Sequence, residues 1–272
     1  MGLPSIHARG FTLIEALMVI VITGIVAAMV AVFIRQPVDA YFDAGRRAAL
    51  TDTADTALRR MARDIHKALP NSIRPSPDAQ CIEFIPTRTG GRYRADKNIS
   101  GNGDTLDFDT ADTHFDMFGL NSDLPADQQI QPNDLIAVYN LGVTGANAYN
   151  GDNTSAVSAV GAGSLAYETR ITIAGKRFPL ESASNRFYVI PADEKVVSFV
   201  CSGGKLYRNS NYAYATSCPT AGGVVLAQDV ISCTFVYSGS DPRNALVQMT
   251  LKLSNNGETV ALYHEAHVNN TP

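Results

Sequence analysis

Nineteen consecutive residues, Ala16 to Ile34, carry no charge, and only Thr23 and Gly24 interrupt their apolar character. Wound as a helix, such a run is roughly 28 Å long, close to the hydrocarbon thickness of a bilayer. It is apolar on every face, which a helix half-covered by its own protein does not need. A secretory signal would have an apolar core of about 7–15 residues followed by a small-residue cleavage site. Here the run is longer and passes straight into Arg35, Gln36 and Pro37. The pattern therefore predicts a retained membrane helix.

Past Pro37, which can kink a helix, Val38, Tyr41 and Phe42 open an apolar stripe. Leu58, Met61, Ile65 and Leu69 continue it at spacings of three and four. That periodicity predicts an amphipathic continuation over 35–69, with the stripe serving as a packing face. Pro70, Asn71, Ser72 and Pro75 end it. The remainder reads as strands at 81–85, 135–139, 170–174, 186–190, 196–201, 230–237 and 247–253, the last alternating cleanly. Asn256-Gly257 predicts a tight hairpin into 259–263. The segment 142–164, rich in Gly, Ala, Asn, Ser and Thr, reads as an exposed loop. An amphipathic helix followed by antiparallel strands predicts an α+β head, 70–272, in which a sheet covers the helix stripe.

Composition changes the picture mainly by exclusion. A net charge of −4 and the absence of a basic tract argue against nucleic-acid binding. Four cysteines, Cys81, Cys201, Cys218 and Cys233, contain no C-x-x-C spacing. Their even number suits two disulfides in an oxidising compartment, and three pairings are possible beside four free thiols. The favoured expectation is Cys201–Cys218 across a polar loop, leaving Cys81–Cys233. His264-Glu265-Ala266-His267 is one residue short of a zinc-protease motif and lies on a predicted strand, where residues three apart face opposite ways. Gly161 to Ala166 lacks the following helix that a dinucleotide loop requires. Asp104, Asp107, Asp109, Asp112 and Asp116 match no calcium-loop register and read as a solvated loop or strand edge. No nucleophile–base arrangement can be assigned, so a non-enzymatic protein without a cofactor is expected.

The junction before the apolar run carries the functional signal. A carboxylate at Glu15, entering an apolar helix, is costly and is normally retained for a partner or a function. The stretch Gly10-Phe11-Thr12-Leu13-Ile14-Glu15, running on into ALMVIVITGIVAAM, resembles the class III signal of type IV prepilins and type II secretion pseudopilins. That resemblance implies a leader of residues 1–10, cleavage between Gly10 and Phe11 by a prepilin peptidase, methylation of the new N-terminus, and a transmembrane segment over 11–34. It also implies that Glu15 meets the N-terminus of a neighbouring subunit. A count of arginines opposes the implied topology: Arg9 precedes the span, whereas Arg35, Arg46 and Arg47 follow it.

Distal segments extend the resemblance. CIEFIPTRTGGRYR, LDFDTADTHFDMFG, DLIAVYNLGVTGANAYN, FYVIPADEKVVSFVCSGGKLYR and YHEAHVNNTP are similar to minor pilins of mannose-sensitive haemagglutinin (MSHA) pilus biogenesis, and the relationship reaches the J-type minor pseudopilins. These families imply an inner-membrane subunit with a periplasmic head that enters a filament or its tip. The implied partners are the prepilin peptidase, other minor and major pilins, the inner-membrane assembly platform and the lipid bilayer. A glycan-binding adhesin would instead use an exposed head site, for which Tyr207, Tyr212 and Tyr214 are the candidates.

Overall fold

The computed structural model describes residues 10–214, 218–220, 222–239 and 245–272. The chain divides into two compact units, Met1–Ala49 and Leu50–Pro272. One helix, α1 (Leu13–Ile65, 53 residues), passes through Pro37 without interruption. In the first unit its large apolar side chains are exposed from Leu13 to Phe42, and Val38, Tyr41 and Phe42 are among them. Those three were expected on the packing stripe. The observed stripe starts at Leu50 and continues through Ala54, Ala57, Leu58, Met61, Ala62 and Ile65, all buried.

Among the described residues the second unit contains fourteen strands. In chain order they are β1 (Arg74–Pro75), β2 (Cys81–Phe84), β3 (Thr89–Arg92), β4 (Asp112–Phe118), β5 (Leu135–Val138), β6 (Thr154–Ala162) and β7 (Glu168–Lys176). They continue with β8 (Arg186–Ile190), β9 (Val197–Ser202), β10 (Lys205–Ser210), β11 (Val224–Ala227), β12 (Val230–Ser238), β13 (Ala245–Asn255) and β14 (Glu258–Val268). Every strand pair is antiparallel. A five-stranded sheet runs β1-β2-β9-β10-β11, and a three-stranded sheet runs β12-β13-β14. Their inner faces share one core with the helix stripe: Ile82, Phe84, Val197 and Phe199 from one sheet, Phe235, Val247, Met249 and Leu251 from the other.

Between β2 and β9 the chain builds a third sheet, ordered β3-β8-β5-β6-β7-β4. Tyr93 bridges Met117, and the Arg94 N–H donates to the Asp116 carbonyl at 2.8 Å, so the two end strands meet and the sheet closes into a barrel. Facing residues pair inward as Phe115–Ile171, Ile136–Val189, Val138–Phe187 and Val157–Ile173, which gives the barrel a core of its own. The segment expected to be a loop over 142–164 supplies β6. Its inward Val157 fills the barrel, while most of the strand beyond it is exposed. The barrel is fastened to the end of the helix by Asn140 and Asn71. Asn140 Nδ2 donates to the Pro70 carbonyl at 2.7 Å and Asn71 Nδ2 to the Asn140 carbonyl at 2.8 Å.

Candidate functional site: the helix start and the head

Thr12 stands just before α1 and caps it. The Glu15 N–H lies 3.3 Å from Thr12 Oγ1 and 3.1 Å from the Thr12 carbonyl. A hydroxyl residue followed three positions later by Glu is the sequence form of a capping box, and it places an anionic side chain in the first turn, where exposed N–H groups favour it. The Glu15 side chain is exposed and has no polar partner among the described residues. Phe11 is 72 % exposed. At Gly10 a Cβ would meet no atom within 4 Å, and the backbone is not left-handed there. Among the described residues, nothing in the fold demands glycine at position 10.

Nothing among the described residues of its own unit covers the apolar run that follows, and α1 is the one helix among the described residues long and apolar enough to cross a bilayer. Together with the antiparallel sheets of the head, this defines a membrane-anchored α+β protein of type IV pilin-like fold. Residues 7–31 match the prokaryotic N-terminal methylation motif. The match supports a type IV pilin-like protein, and it implies processing by a prepilin peptidase and association with other pilins. Comparisons with curated proteins and with solved structures return no match.

The cysteines form two disulfides, Cys81–Cys218 and Cys201–Cys233, rather than the expected Cys201–Cys218 and Cys81–Cys233. The reason is register. Cys81 sits opposite Val200 in the β2–β9 pair, so Cys201, one residue on, points to the other face of the sheet. Cys201 shares the inner face with Phe199 and reaches Cys233 on β12, tying the two sheets across the core. Cys81 lies on the outer face, where the connection between β10 and β11 brings Cys218 to it.

That outer face also consumes the tyrosines considered for glycan binding. Tyr212 donates to Glu83 Oε2 at 2.5 Å, and Glu83, 2 % exposed, is paired with Arg74 as well. The Arg74 guanidinium stacks 3.7 Å over Tyr149, and Tyr214 meets Tyr149 edge-on at 5.0 Å. Burial raises the Tyr212 hydroxyl well beyond its ordinary range and, with the Glu83 charge nearby, lifts Tyr214 to about 12. Tyr207 is half-buried in β10, opposite Val225. An open cleft of about 580 Å³ lies beside this face, lined by Arg74, Pro75, Pro77, Cys81, Glu83 and Val200.

Three of the acidic residues of 104–116 accept backbone hydrogen bonds. Asp107 accepts from the N–H groups of Asp109 and Thr110, Asp112 from that of Asp107, and Asp116 from those of Asp104 and Ser164. His264 and His267 stand on β14, a strand as expected, on alternate faces. No group of three or more metal-binding side chains occurs among the described residues.

Proposed function

We propose that this chain is a minor pilin that helps to initiate or assemble a type IV pilus of the MSHA kind, similar to MshO. Residues 1–10 are the leader; the prepilin peptidase cuts between Gly10 and Phe11 and methylates Phe11. Residues 11–34 lie in the inner membrane, 35–69 hold the rest of the helix, which ends at Ile65, and 70–272 form a periplasmic head. The protein leaves the bilayer when it enters the filament or its tip. Its partners are other minor and major pilins and the inner-membrane assembly platform, and it performs no catalysis.

The observation that carries this reading is the helix start. A glycine without a local steric reason precedes an exposed aromatic, a capped helix and an unpartnered carboxylate, ahead of an apolar run that its own unit leaves bare. Cleavage would place an ammonium at Phe11. In an apolar assembly a carboxylate from the neighbouring subunit offsets the desolvation of that ammonium, whereas either charge alone is costly. Glu15→Gln keeps shape and removes charge. It is expected to leave processing at Phe11 normal and to abolish crosslinking to partner pilins in the same cells. Wild-type crosslinking and filament initiation by Glu15→Gln would show that Glu15 does not set subunit register.

A further inference from the structure

A sheet edge is a row of unpaired N–H and C=O groups, and proteins normally blunt it with short strands, proline, bulges or a cover. Most edges of this head are treated so. The barrel has closed on itself. β1 is two residues long and ends in Pro75; β11 has four residues and a register shift against β10. The outer edge of β12 is engaged where the Phe235 N–H donates to the Ala79 carbonyl at 2.8 Å. β14 is different. It runs for eleven residues, pairs with β13 without a register shift, contains no proline, and ends its sheet.

The hairpin fixes which groups face outward. Asn256 and Gly257 have φ of 47° and 87° and form a two-residue connection between Asn255 and Glu258. In such a hairpin the flanking residues are a hydrogen-bonded pair, and bonded and non-bonded pairs then alternate along the strands. Glu258, Val260, Leu262, His264, Ala266 and Val268 therefore bond to β13. The N–H and C=O groups of Thr259, Ala261, Tyr263, Glu265 and His267 point to the open edge. None of these five donates or accepts a backbone hydrogen bond on that side among the described residues.

Two side chains describe what would complete the edge. Leu262 packs on the shared core yet stays half-buried on the strand that ends the sheet. Glu265 is held by neutral donors, the Tyr263 hydroxyl and Gln248 Nε2 at 3.4 Å, and no cation pairs with it among the described residues.

We propose that β14 is a docking edge that receives one extended segment from a different pilin subunit, adding a strand to the β12-β13-β14 sheet. Backbone hydrogen bonds to Thr259, Ala261, Tyr263, Glu265 and His267 supply affinity; an apolar residue over Leu262 and a basic residue facing Glu265 supply selectivity. A second copy of this chain is a poorer occupant, since its own β14 carries no lysine or arginine to face Glu265 and its other edges are short, kinked or already bonded. Only the identity of the partner rests on the pilin reading above.

The test uses the full-length protein in its own cells, with a benzophenone photocrosslinking residue at Tyr263, or separately at Val26 in the apolar helix. Adducts are mapped by peptide mass spectrometry. The expected result is an adduct at position 263 to an extended segment of another protein that carries the prepilin motif. Ala261→Pro removes one outward N–H without touching the β13 ladder and is expected to lower the yield at least about fivefold. Ala261→Val keeps the N–H and the yield. Glu265→Lys leaves the backbone intact and is likewise expected to lose the adduct, which keeps the test valid should the proline variant misfold. No adduct at 263, an adduct only to a second copy, or one unaffected by both Ala261→Pro and Glu265→Lys overturns the proposal. Pilin adducts at 26 without any at 263 remove β14 and leave the pilin reading standing; absence at both removes both.

Discussion

Asp116 is fully buried, and its carboxylate gathers the N–H groups of Asp104 and Ser164 together with the Arg170 guanidinium at 3.2 Å. Burial alone would raise its pKa, but these donors outweigh burial and hold it below the usual carboxylate range. A folded-state pKa below the unfolded value of about 3.9 means that stability is present above that pH and is lost as pH falls through the folded value. Asp116→Asn should therefore cost about 2 kcal/mol in urea unfolding at pH 7, and the gap from wild type should narrow at pH 3. An equal gap at both pH values would show that charge is not what Asp116 contributes. At the other end of the chain, Gly10→Val meets no steric obstacle in the fold. It should leave the head intact while the protein accumulates at the mass of the uncut chain, a result that intact-protein mass spectrometry reads directly. The N-terminal methylation motif over 7–31 was legible because its signal is local: a glycine–aromatic junction and a charge beside an apolar run. The burial of Asp116 was not, because its partners Ser164 and Arg170 come from a distant strand and the turn before it.

At the scale of elements, strands with a clean period were readable. β13 alternates buried and half-exposed positions as its sequence does, and the Asn256-Gly257 turn forms where expected. The short strands β1, β3, β10 and β11 carry no such period, and neither do β4 and β6. β4 buries Phe115 and Met117 among Asp, Thr and His, and the anchor of β6 is Val157 within a run of Ala, Ser and Gly. Cysteine pairing was not legible for a related reason. It depends on which face each residue takes, and a shift of one residue reverses that face. The observed pairs close separations of 137 and 32 residues. Each should contribute about 2–4 kcal/mol, chiefly by restricting the unfolded chain. Removing Cys201 and Cys233 together should lower the urea midpoint and loosen the two sheets, whereas removing Cys81 and Cys218 should release the connection that carries Tyr212 and Tyr214. Non-reducing peptide mapping of exported protein checks the pairing itself, and recovery of a Cys201–Cys218 peptide would refute it.

At the scale of the head, the chain reads as two cores in one unit. The first is the helix stripe under two sheets; the second is the barrel, set between two strands that are already partners, since Phe84 pairs with Val197. The barrel enters and leaves at one place, with the Arg88 N–H donating to the Val189 carbonyl at 2.8 Å. Such an arrangement predicts that the barrel can be excised. Joining Ile85 to Val196 through an Asn-Gly insert makes a four-residue loop on the hydrogen-bonded Phe84–Val197 pair, which preserves the β2–β9 register and leaves all four cysteines in place. The cost lies at the seam. Leu69 and Ile85, both fully buried, lose the cover of Ala137, Ala148 and Ile190, and the Pro70 carbonyl loses Asn140. Exposing two such side chains costs about 3–6 kcal/mol, so the shortened head should unfold cooperatively but at a lower urea midpoint than the parent. Leu69→Gln together with Ile85→Thr would make that seam polar and should recover part of the loss. Recovery of the Cys81–Cys218 and Cys201–Cys233 peptides from the shortened protein would establish that the helix and its two sheets fold without the insertion. Scrambled disulfides together with a non-cooperative transition would mean that the barrel is needed to set the β2–β9 register, and that the two cores form one folding unit.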